Sequence, residues 1–144
     1  MKKVLSILVM FVIVASCFNM SSFAYDTVID DEIIVMDITS AEKSSNLSID
    51  YNNNATCNSI FSDINNNISM IKVVQTLEKH WAFGVFFAVN NASWERTYYT
   101  DSLSMTNYKY NLDNGTYRLK TVFTVTLNNG NTETIAVYSA EKTI

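Results

Sequence analysis

The sequence predicts an all-β fold, an antiparallel sandwich of about seven short strands. Three observations predict it. After residue 45 apolar and polar side chains alternate with a period of two, and no stretch keeps the spacing of an amphipathic helix over three turns. Clusters of Asn, which tolerates left-handed backbone geometry, interrupt the alternation at short intervals. Residues 112–119, LDNGTYRL, resemble a tyrosine corner, in which a tyrosine hydroxyl bonds back to the backbone just upstream of the penultimate strand.

Taken in order, residues 1–24 read as an export signal. Lys2 and Lys3 supply its positive start, residues 4–17 an apolar run too short to span a bilayer, and Ser22 and Ala24 the small residues before a cut at Tyr25. A second reading competes. Residues 14–17, VASC, resemble a lipobox, and a lipidated Cys17 would hold the domain at a membrane surface. Plain secretion is favoured, because Leu is more usual than Val at the first lipobox position. Residues 25–45, with Asp26, Asp30, Asp31, Glu32, Asp37 and Glu42 against Lys43 around the apolar run Ile33-Ile34-Val35-Met36, read as a flexible acidic arm or as an extra edge strand, and the arm is favoured. The sandwich domain is expected over residues 46–144.

Within it, residues 46–51 alternate with Leu47, Ile49 and Tyr51 on one face, and Asn52-Asn53-Asn54 turns the chain. Residues 55–61 follow with Ala55, Cys57, Ser59 and Phe61 together. After an Asn-rich turn at 63–67, residues 68–79 make a longer strand with Ile71, Val73 and Leu77 inward. Residues 85–89 are a short strand ended by a turn at Asn90-Asn91, and residues 94–100 and 105–112 are two more. Residues 117–127 carry the clearest pattern. Tyr117, Leu119, Phe123, Val125 and Leu127 share one face, while Arg118, Lys120, Thr124 and Thr126 share the other, where Arg118 is expected to be solvated and dispensable. Asn129-Gly130 is a strong hairpin signal, and residues 132–139 return with Ile135 and Val137 inward.

The Ala55-Thr56-Cys57 strand, the Leu77-Glu78-Lys79 strand end and the closing Gly115-x-Tyr117-Arg118-Leu119-Lys120 strand resemble a family of small secreted proteins of low-GC Gram-positive bacteria. The resemblance covers about residues 46–140 and departs from the family between Trp81 and Trp94. It implies an immunoglobulin- or fibronectin-III-like sandwich and an extracellular place. It attaches no activity and no site residues.

Composition narrows the function classes. Lys and Arg number 10 against 14 Asp and Glu, and loss of Lys2 and Lys3 with the signal makes the chain more acidic still. Nucleic acid is therefore not expected as a partner, since a phosphate backbone calls for a basic face. No second apolar run reaches transmembrane length. Without the signal Cys57 is the one cysteine, so no intrachain disulfide is expected, and it reads as a small buried apolar residue. His80 is the one histidine and reads as a surface turn residue. There is no Gly-rich phosphate loop, no CxxC and no HExxH. The Asp and Asn of 63–67 lack the Gly and distal Glu of an EF-hand. No catalytic residue, metal or cofactor is expected.

The aromatics are the feature least explained by a plain core. Trp81, Phe83, Phe86, Phe87, Trp94, Tyr98 and Tyr99 fall within nineteen residues. Neighbours on a strand point to opposite faces, so Phe86 and Phe87, or Tyr98 and Tyr99, cannot all enter one core. The candidate binding residues are therefore Trp81, Phe83, Phe86, Trp94, Tyr98 and Tyr99. The function expected is a secreted, non-catalytic interaction module at or outside the cell surface, its partner an extracellular protein. The alternative is a carbohydrate-binding module that stacks these rings on a cell-wall glycan.

Overall fold

The protein is described here by a computed structural model, which covers residues 41–63 and 67–144. The expected export signal, Cys17, the expected acidic arm up to residue 40 and the middle of the 63–67 turn lie outside the described residues. Eight strands follow one another: β1 (Glu42–Ile49), β2 (Ala55–Ser62), β3 (Ile68–Ala82), β4 (Val85–Tyr98), β5 (Ser102–Lys109), β6 (Thr116–Leu127), β7 (Thr132–Tyr138) and the short β8 (Lys142–Thr143). One sheet has the order β1-β2-β5 and the other β4-β3-β6-β7, with β8 also on β6. Every pairing is antiparallel. The chain changes sheet after β2, β4 and β5, which gives the A-B-E and C′-C-F-G order of a fibronectin-III-like sandwich.

The inward faces follow the alternation. Ala55, Cys57, Ser59 and Phe61 of β2 are fully buried, as are Ile71, Val73 and Leu77 of β3 and Leu119, Phe123 and Val125 of β6. Burial pushes the Cys57 thiol up to about 12, so it stays protonated at neutral pH. The core is not one apolar mass. Phe61, Ile71, Val73, Met105 and Phe123 anchor one cluster, and Cys57, Leu77, Tyr117 and Leu119 anchor another. Between them runs a buried polar belt. Gln75 donates through Nε2 to Ser59 Oγ (2.6 Å) and to the Met105 carbonyl (3.0 Å), and accepts from Asn107 Nδ2 (2.7 Å). Thr121 joins Ser59 (2.6 Å) and Ser45 (2.9 Å). Ser45 pairs with Ser59 in one sheet and Gln75 with Thr121 in the other, so the belt lies at one level of the sandwich.

Several elements differ from expectation. The first strand starts at Glu42, so residues 42–45 belong to the sheet. Tyr51 does not face inward. Asp50 Oδ1 accepts from the Asn52 and Asn54 N–H groups (2.8 and 2.9 Å), which ends the strand early and leaves Tyr51 exposed in the turn. Those bonds, the Asn54 N–H first, hold the Asp50 carboxyl below its ordinary value. The strand expected at 105–112 runs instead over β5, and Leu112 is buried from the loop beyond it.

The middle of the chain differs most. Asn90-Asn91 does not reverse the chain, and residues 85–98 are one strand. Four residues of β4, 89–92, stand opposite Leu77 between the Thr76–Ser93 and Glu78–Ala88 pairs. Asn91 takes a φ of 54°, but a single left-handed residue inside a ladder makes a bulge rather than a turn, and this one sets Ala92 into the core. The reversal falls at Phe83-Gly84, where both residues have positive φ (53° and 77°) between the paired Ala82 and Val85, as in a type I′ hairpin. The hairpin at Asn129-Gly130 forms, with a longer loop. The Gly130 N–H donates to the Leu127 carbonyl (2.9 Å), and Gly130 alone has positive φ (87°), the form of a type I turn with a following bulge.

Candidate functional site

The tyrosine corner builds one end of the sandwich. The Tyr117 ring is buried and its hydroxyl donates to the Asp113 carbonyl at 2.6 Å. Gly115, at φ 158°, exchanges two backbone hydrogen bonds with Ile144 (3.0 and 3.1 Å). A Cβ on Gly115 would run into the end of the Lys79 side chain, whose ammonium lies 5.3 Å from the centre of the Tyr117 ring. The corner loop is tied to the β1–β2 turn by the Leu112 N–H, which donates to the Asn53 carbonyl (2.9 Å).

Beside this corner the β3–β4 hairpin projects. β6 pairs with β3 only as far as the Lys79–Tyr117 step, while β3 continues to Ala82. Residues 80–82 therefore overhang the sandwich by about 10 Å at a strand's rise per residue. The overhang carries Trp81 (75% exposed) and, at its tip, the fully exposed Phe83, and Phe87 (56%) stands at its root opposite Lys79. The Trp81 and Phe87 rings meet edge to face, 5.9 Å between centres. Between the hairpin and the corner loop lies a groove of about 420 Å³. Trp81, Phe87 and Val89 form its apolar wall, and Asn90, Asn111 and Asp113 are its polar groups.

The outer face of the same hairpin is braced. The Arg118 guanidinium stands over the Phe86 ring (3.9 Å to its centre) and the Tyr138 ring (4.5 Å), and Nε donates to Glu78 Oε2 at 2.7 Å. Arg118 is thus not the dispensable solvated residue expected from its face. It ties β6, β3, β4 and β7 together where the hairpin leaves the sheet. His80 packs edge to face on Phe86 (5.2 Å), and its Nε2 accepts from the Gly84 N–H at 3.2 Å.

The expected aromatic platform is divided. Trp81 and Phe83 share the hairpin, with Phe86 at its base under Arg118. Trp94 and Tyr98 are half-buried and pack on the core, Trp94 on both clusters. Tyr99 is exposed at 81%, but it follows the far end of β4. Sequence reasoning missed Phe87, Lys79, Asn90, Asn111 and Asp113 as groove residues. The available signal was Gly84 inside an apolar run, a hairpin mark disguised by Phe where Asn is usual.

Among the described residues there is no group of three or more His, Cys, Asp or Glu side chains placed to hold a metal, and no helix long and apolar enough to cross a membrane. No family model matches the chain, and neither does any curated protein. Among solved structures it is similar to wild-type OgpA from Akkermansia muciniphila, with a TM-score of 0.37 and 12% identity over 72% of this chain and 29% of that one. This chain thus spans less than a third of OgpA, and a likeness at that TM-score carries no argument for either fold or function.

Proposed function

We propose that this protein is a secreted, non-catalytic binding module that meets its ligand with the β3–β4 hairpin and the groove beside it. One observation carries the reading: Trp81 and Phe83 stand exposed on an overhang, with Phe87 exposed at its root. Large rings exposed together on a projecting element mark an interaction surface. Export is supported by the Lys-Lys start, apolar run and small-residue cut site of residues 1–24. The experiment compares cell-surface material retained by the immobilised chain and by a Trp81→Ser/Phe87→Ser variant. The variant is expected to lose the ligand and Tyr99→Ser to keep it. A ligand held equally by all three would place the site elsewhere.

A glycan is the second reading, favoured by the groove itself. An aromatic wall facing Asn and Asp side chains is the chemistry that holds a sugar, ring face on ring and hydroxyls on amide and carboxylate. Retention on insoluble cell-wall polysaccharide, lost on Asn111→Ala, is the outcome it expects.

A further inference from the structure

We infer that the tip of the β3–β4 hairpin is a lipid-inserting finger, which enters the interfacial layer of a phospholipid bilayer and docks the domain there. The inference rests on the hairpin being the binding element and names its partner. Residues 81–89, WAFGVFFAV, contain no charged or hydrogen-bonding side chain apart from the Trp81 indole N–H. Beyond the His80–Phe86 pair the tip is apolar on both faces, while at that pair Phe86 lies against His80 and under Arg118. Trp81 and Phe87 lie on one side, Phe86 on the other, and Phe83 at the end. A hairpin that docks on a protein surface presents one apolar face and keeps a polar one toward water. One whose tip is apolar on both faces suits a medium that encloses that tip.

Two details of the turn agree. Phe83 sits at φ 53°, a region that bulky side chains avoid and that Asn occupies freely. A ring is held there against the backbone preference and is fully exposed, as local strain is held at functional sites. The Gly84 N–H, which would otherwise enter an apolar layer unpaired, is satisfied by His80 Nε2. The dimensions also fit. An overhang of about 10 Å matches the 5–10 Å depth of the interfacial layer and falls far short of the roughly 30 Å core. Around its base the same end of the sandwich exposes Tyr51, Tyr108 and Tyr110, the residue type that settles at headgroup level. With acidic residues in excess over the whole chain, attraction to anionic lipid contributes little, so the proposal commits to insertion of apolar surface.

The test is flotation of the purified chain, lacking the export signal, with neutral phosphatidylcholine vesicles. The chain is expected to float with the vesicles, with a blue shift of tryptophan emission that is lost in Trp81→Phe. Phe83→Asn suits the turn and keeps the fold, and it is expected to lower the partition coefficient about tenfold or more, the effect of withdrawing one buried ring. Tyr99→Ser at the opposite end is expected to float like wild type. Absence of wild-type flotation, or equal flotation of Phe83→Asn, overturns the proposal. So does concentration-dependent self-association that Phe83→Asn abolishes while vesicles stay bare, since the occupant is then a second copy. In those cases the binding module stands if Trp81→Ser/Phe87→Ser still loses its cell-surface ligand, and falls if it does not.

Discussion

The Arg118 guanidinium is shared among three groups: the Glu78 carboxylate and the rings of Phe86 and Tyr138. Glu78's side chain is only 12% exposed, so loss of the arginine leaves a largely desolvated carboxylate without its cation. Arg118→Ala is expected to cost about 2 kcal/mol, and Arg118→Lys to recover little of it, because a point charge replaces a planar group made for stacking. Its neighbour acts on the opposite face. Tyr117→Phe strands the Asp113 carbonyl and is expected to cost about 1–2 kcal/mol. Chemical denaturation of the two variants checks both, and a wild-type midpoint for either removes the role assigned to it. Alternation in residues 117–127 shows which face each residue takes. It is silent on what stands opposite, because Phe86 and Tyr138 reach Arg118 from other strands, β4 and β7.

At the scale of elements the β3–β4 hairpin is built against local preference at one position. Phe83→Asn creates an Asn-Gly pair in a turn whose two residues both have positive φ, and is expected to stabilise the domain by about 1 kcal/mol. A higher denaturation midpoint at unchanged m-value is the expected readout, and a lower midpoint would mean that the Phe83 ring packs on the domain. The other hairpins were easier to read, since Asn52-Asn53-Asn54 and Asn129-Gly130 use residues that accept the geometry they adopt. At Asn90-Asn91 the same residue type misleads. The left-handed conformation is there, at Asn91, but whether it reverses a chain or bulges it depends on the ladder with β3.

For the whole molecule, the sandwich class was legible because burial on one sheet face imposes a period of two, and the corner was legible because its spacing is local. The polar belt was not. Ser45, Gln75 and Thr121 interrupt the inward faces of three strands, and only their meeting at one level makes them a network. Gln75→Met keeps the volume and removes the hydrogen bonds. It is expected to cost about 1–3 kcal/mol, because the Asn107 amide and the Met105 carbonyl lose their Gln75 partner and Ser59 keeps only Thr121, read as a lower thermal midpoint. An unchanged midpoint would make the belt incidental. The binding rings were half legible for the same reason: crowding of aromatics was visible in the sequence, but which of them the core absorbs is decided by the partner sheet. The bulge in β4 bears finally on how copies of the chain meet. β4 is one of the two outer strands of its sheet, and a second chain adding itself there needs an unbroken row of donors and acceptors. The bulge at residues 89–92 kinks that row into two short pieces. Along β4, crowded copies of a strand-rich chain therefore find no long straight edge on which to knit into one continuous sheet.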